Sequence, residues 1–121
     1  MSNSNEELSL KDLIVESIVD RKGKDLTVLD LREVDQSIAD FFIICHGDST
    51  TQVDAIADNV DRQVRSELHE HPIHKEGLGN LQWVLLDYGE VVVHVFQEEY
   101  RNFYKLEDLW ADAKKELIKE A

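Results

Sequence analysis

Several groups of residues have the types and spacing that could do chemistry. Gly47-Asp48-Ser49 opens a helical pattern, and a Gly-Ser turn at a helix N-terminus can hold a phosphate on backbone donors. Nucleotidyltransferases that use such a turn also need two or three carboxylates converging on magnesium, commonly an Asp-x-Asp or Asp-x-Glu pair on a following strand. The apolar runs that follow offer Asp87 alone, with Tyr88 and Gly89 after it, while Asp54 and Asp58 fall inside the helical stretch. Two-metal phosphoryl transfer therefore lacks its ligands. Ser49 reads instead as an N-cap, with Gln52 completing a capping-box pattern.

His69, His71 and His74 form a His-x-His-x-x-His string. Zinc ligands must converge, and a helix end followed at once by Pro72 scatters these, with no cysteine to join them. They read as surface histidines, and neither a metal nor a cofactor is expected. His94 differs, because it lies inside the run Val91-Val92-Val93-His94-Val95-Phe96. A histidine there must be hydrogen-bonded or kept neutral by burial. Asp40, at the start of another apolar run, is a candidate partner. No Ser or Cys has nucleophile spacing to it, so the expectation is a structural role and no catalytic residue.

The last group is aromatic and acidic. Trp83, Tyr104 and Trp110 are interleaved with Asp87, Glu98, Glu99, Glu107 and Asp108. Trp and Tyr are common interface anchors, and carboxylates beside rings suit Arg and Lys from a partner, through charge-assisted hydrogen bonds and cation–π contact. Competing structural readings exist. Trp110 falls on the apolar side of the last helical pattern, and Glu107 and Asp108 sit in its first turn, where the helix dipole favours carboxylates.

The elements that must position these residues follow from periodicity. Trp83 to Leu86, a break at Asp87-Tyr88-Gly89-Glu90, and Val91 to Phe96 form a hairpin signature. Val91, Val93 and Val95 point one way and Val92, His94 and Phe96 the other, so both faces require cover, as in a central strand. Upstream, Leu10, Leu13, Ile14, Ser17 and Ile18 have helical spacing behind a Ser9–Asp12 cap, and Gly23 follows. Leu26 to Leu31 and Ala39 to Cys45 read as strands. Val53, Ile56, Ala57, Val60, Val64 and Leu68 make an amphipathic helix that Pro72 should stop. Residues 73–76 read as a short strand, and Leu106, Leu109, Trp110, Ala113 and Leu117 have helical spacing. The order is α-β-β-α-β-β-β-α. The fold class is α/β, a single compact domain with a mixed β-sheet covered by helices.

At 121 residues the chain has one domain's length, and 42% hydrophobic content with one proline argues for a folded core. No run reaches the ~18 apolar residues of a membrane span, and the polar start lacks a signal-peptide layout, so a cytoplasmic location is expected. The lone Cys45 reads as a small core residue. A formal charge of −13 repels phosphate backbones and attracts basic surfaces. Direct nucleic-acid binding is disfavoured and a basic protein partner is favoured, with solubility as the competing reading of the same charge.

Two strings carry a family resemblance. Trp83-x-x-x-Asp87-x-Gly89-x-Val91-x-Val93-His94-Val95-Phe96, then Arg101-x-x-Tyr104-x-Leu106-Glu107-x-Leu109-Trp110, resembles the ribosomal silencing factor family RsfS, also called Iojap-like. The likeness extends to Ser37-Ile38-Ala39-Asp40-Phe41-Phe42-Ile43-Ile44-Cys45-His46-Gly47-Asp48-Ser49 and covers roughly residues 8–113. Residues 1–7 then read as a disordered leader and 114–121 as the charged end of the last helix. The resemblance implies a nucleotidyltransferase-like sheet without catalytic carboxylates, and a homodimer. It implies that Trp83, Asp87, Tyr104, Leu106, Glu107 and Trp110 lie at or beside a surface that docks on large-subunit ribosomal protein L-fourteen. Occupying that face would block joining of the small subunit and repress translation, while organellar relatives are linked to large-subunit assembly. The rivals are a metal-dependent nucleotidyltransferase and a scaffold for some other basic protein.

Overall fold

Val91–Gln97 carries apolar side chains on both sides of its pleat, and the chain places it where both sides are covered. The computed structural model describes residues 9–119; the expected leader at 1–7 lies outside them. In order, the elements are α1 (Leu10–Asp20), β1 (Lys24–Asp30), β2 (Phe41–Gly47), α2 (Thr50–Leu68) and β3 (His74–Glu76). There follow β4 (Trp83–Asp87), β5 (Val91–Gln97), α3 (Glu98–Tyr104), α4 (Leu106–Leu109) and β6 (Lys114–Leu117). They form a six-stranded mixed sheet in the order β3-β4-β5-β2-β1-β6. The β2–β5 pair is parallel and the other neighbours are antiparallel.

The sheet has two unequal faces. Val91, Val93 and Val95 of β5 join Ile43 and Cys45 of β2 beneath α1 and α2, which contribute Leu13, Ile14, Ile18, Val53, Ile56, Val60 and Val64. Each such side chain, fully buried, stabilises the fold by roughly 1.5–3 kcal/mol. On the opposite face, Phe42, Ile44, Val92 and Phe96 are covered more thinly, by Leu31 and Ala39 of the β1–β2 connection and by Leu106. Alternation along β5 thus divides its residues between the two cores as their pattern requires.

Both helix starts are capped as their spacing predicts. The Ser9 Oγ accepts from the Asp12 N–H, and the Ser49 Oγ from the Gln52 N–H, each at 3.1 Å. Gln52 reaches further, accepting from the Asp48 N–H at 2.7 Å and donating to the Lys22 carbonyl at 3.0 Å. Replacing Ser49 with Ala should lower stability by about 1 kcal/mol. A shifted urea midpoint at unchanged slope would show it; an unmoved midpoint would mean that water replaces the cap without loss.

Two expectations require correction. α2 stops at Leu68, ahead of Pro72, because His69 adopts the left-handed conformation (φ 57°) and returns its N–H to the Arg65 carbonyl. The final helix does not run on to Leu117. It breaks at Lys105, also left-handed (φ 48°), makes one turn as α4, and gives way to β6. Thr27 pairs with Leu117 and Asp30 with Lys114, so 114–117 is an edge strand rather than a helix end. The unpaired N–H and C=O groups along β1 are a template for pairing, and that tertiary ladder outweighs the weak helical preference of a short charged segment. The observed order is therefore α-β-β-α-β-β-β-α-α-β.

Candidate functional site

The thinly covered face is where the aromatic residues gather. Trp83, Leu85 and Asp87 alternate onto it from β4, opposite Phe96, His94 and Val92 of β5. The Trp83 indole stacks on Phe96 with centroids 4.8 Å apart and planes 27° apart, and it meets the Tyr104 ring at 5.0 Å. Phe103 contacts Tyr104 edge-on at 5.1 Å. Inward, the Trp83 Nε1–H donates to His94 Nδ1 at 3.1 Å, the His94 ring lies edge-on to Phe42 at 4.7 Å, and Phe42 meets Trp110 at 5.5 Å. The row Phe103, Tyr104, Trp83, His94, Phe42, Trp110 is continuous. Its outer end is open, with Phe103 74% and Tyr104 47% exposed.

A cleft of about 280 Å³ opens beside that outer end, lined by Glu76, Gly77, Asn80, Gln82, Trp83, Leu85 and Tyr104. Its wall is fixed by backbone. Gly77 has φ +85°, and a Cβ there would stand 1.9 Å from the Trp83 carbonyl oxygen. Only glycine allows that approach, so the loop and the start of β4 are locked together. Glu76 is the carboxylate of this lining, whereas Glu98 and Asp108 line a separate cleft with Asp25, His46 and Arg101, and Glu99 is exposed on α3.

The residues singled out by spacing occupy different stations on this face. Trp83 and Tyr104 form its open end, and Trp110 is half-buried at the other end of the row. Leu106 is buried and packs under the row rather than presenting itself. The Asp87 Oδ1 accepts from the Gly89 N–H at 2.8 Å and shapes the β4–β5 turn, where Gly89 supplies a positive φ of 91°. Asp40 is exposed and takes no part with His94, whose Nδ1 is occupied by Trp83. Its backbone instead ties Leu31 to Glu90. The expected Asp40–His94 pair is corrected accordingly.

Glu107 is held by Arg101, a residue that sequence spacing alone does not mark as part of a site. Its carboxylate receives Arg101 Nη2 at 2.7 Å and Nε at 3.4 Å, and the Arg101 guanidinium is buried. The same guanidinium donates to the Thr27 Oγ1 and the Lys24 carbonyl, each at 3.3 Å, and to His46 Nδ1 at 3.0 Å. Arg101 thus ties α3 to α4, β1 and β2. Burial, with the guanidinium adding to it, holds His46 below the ordinary histidine pKa. The only sequence signal for this knot is an arginine flanked by aromatics with a glutamate six residues on.

Two buried titratable side chains are held neutral by their surroundings. Burial pushes the Cys45 thiol up to about 12, so it is no nucleophile at neutral pH. Burial also holds His94 down to about 3. It is therefore neutral, and because Nδ1 accepts from Trp83 its proton resides on Nε2. Among the described residues no three His, Cys, Asp or Glu side chains group so as to hold a metal ion. Among them, too, no helix is long and apolar enough to cross a membrane.

Known proteins are similar to this chain in sequence and in fold. The family model described as "Ribosomal silencing factor during starvation" matches residues 3–121. The chain is 43% identical over 110 residues to the ribosomal silencing factor RsfS of Halalkalibacterium halodurans, covering 91% of each chain. It is 42% identical over 97 residues to the protein of that name in Bacillus subtilis, covering 78% of each. An X-ray structure of a Chromobacterium violaceum protein superposes with a TM-score of 0.79 at 33% identity, covering 100% of this chain and 96% of the other.

Proposed function

The chain belongs to the ribosomal silencing factor (RsfS) family, and from that premise we propose that it docks on large-subunit protein L-fourteen and prevents the small subunit from joining. Occupying space is then its whole activity, with no reaction catalysed. The observation that carries this reading is the open aromatic end formed by Phe103, Tyr104 and Trp83. Rings of this kind are anchors for binding energy. The net charge of −13 steers the chain toward a cationic protein surface and away from bare RNA. On this reading the chain acts in the cytoplasm, as a homodimer.

Purified protein should co-sediment with large subunits and lower the fraction of joined ribosomes, less strongly as salt rises. Joined ribosomes that persist at saturating protein would refute the proposal. Tyr104→Ala, which removes a half-exposed ring, should weaken large-subunit binding by about 2 kcal/mol, roughly 30-fold, with little change in melting temperature.

A further inference from the structure

The Trp83 ring is half-buried, and stacking on Phe96 fixes its plane without fixing which edge faces inward. The remaining constraint is the Nε1–H bond to His94 Nδ1. His94 is 3% exposed and lies at the centre of β5, opposite Leu85 in register and two pairs along the ladder from Trp83, on the same face. Phe42 on β2 and the Trp83 indole flank its ring. No charged group acts on it; burial alone lowers its basicity. Its second nitrogen, Nε2, is buried and has no hydrogen-bond partner among the described residues.

That orphaned nitrogen makes histidine a destabilising choice for the core. A buried polar group without a partner is destabilising, a penalty that a leucine or phenylalanine at this position would not incur. What an apolar residue could not supply is an acceptor for the indole. We propose that His94 is a positioning residue for the docking face: its Nδ1 holds the Trp83 indole in the pose that, with Tyr104, forms the open aromatic wall of the cleft. His94 itself never touches the partner. The inference rests on the docking role proposed above, and it adds a specific residue behind that surface.

The test combines an NMR measurement on the free protein with the sedimentation assay. The ¹⁵N-labelled indole N–H resonance of Trp83, assigned by its disappearance in Trp83→Phe, reports the hydrogen bond directly. In His94→Leu this resonance should move to the position of an unbonded indole, and large-subunit binding should weaken up to about tenfold, the worth of one hydrogen bond. His94→Asn, whose side-chain oxygen falls near the Nδ1 position, should restore both. His94→Gln, which extends its polar end toward the Nε2 position, should restore neither; this contrast stands even if the leucine variant does not fold. A folded His94→Leu that binds like wild type overturns the proposal, as does an asparagine variant no better than glutamine. Should wild-type protein itself fail to co-sediment, the docking role falls with it, and the indole resonance alone decides whether His94 sets the ring's pose.

Discussion

Arg101→Met should destabilise the folded chain by about 3 kcal/mol, the lower end of the cost of breaking a buried ion pair. The lower end applies because the Glu107 side chain is 19% exposed, so water can reach part of the carboxylate left behind. The loss exceeds the pair itself, since Thr27, His46 and the Lys24 carbonyl lose their donor at the same time. Against a typical total of about 5–15 kcal/mol such a loss is plain in a denaturant titration. Removing both charges in Arg101→Met/Glu107→Leu should recover most of it, because an apolar pair leaves no stranded carboxylate. A single variant losing under about 1 kcal/mol, or a double variant no better than the single, would show that the knot is dispensable.

Acid should unfold this chain sooner than its carboxylates alone predict. The folded His94 has its pKa depressed to about 3 from an ordinary 6.5. Between those values the unfolded chain takes up a proton that the folded chain refuses, so stability is full above about 6.5 and declines as pH falls toward 3. Each pH unit inside the window is worth about 1.4 kcal/mol, so lowering pH from 7 to 4.5 should cost about 3 kcal/mol through this one residue. His46, also depressed, acts in the same direction. Asp30, drawn down to about 2 by its bond to Arg32, matters only at lower pH. Comparing wild type with His94→Asn at the two pH values isolates the His94 share. Equal acid sensitivity of the two would mean that the imidazole protonates in place at little cost.

The parts of this structure that the chain announces are those fixed by local pattern. The β5 run alternates between two cores because both of its sides are apolar, and Ser9 and Ser49 cap helices because their hydroxyls lie within reach of donors three residues on. What local pattern omits is who lies across a strand. His94 has Trp83 as its partner because β4 and β5 pair Trp83 with Phe96, a register that no single run reveals. Asp40 suits His94 by its chemistry alone, and the fold gives that place to Trp83. Likewise β6 depends on a vacant edge of β1, and the Arg101 partners Thr27 and His46 lie 74 and 55 residues away. Trp83 and Tyr104 stood out as aromatic, but their shared exposed end arises from the fold.

The inward hydrogen bond of Trp83 determines what its outer surface can offer. With the indole N–H committed to His94, the ring turns only carbon outward. Contact there needs no directional match, and separation strands no donor that water would have to rescue. On the docking role proposed above, such a face can be covered and vacated with the same internal wiring.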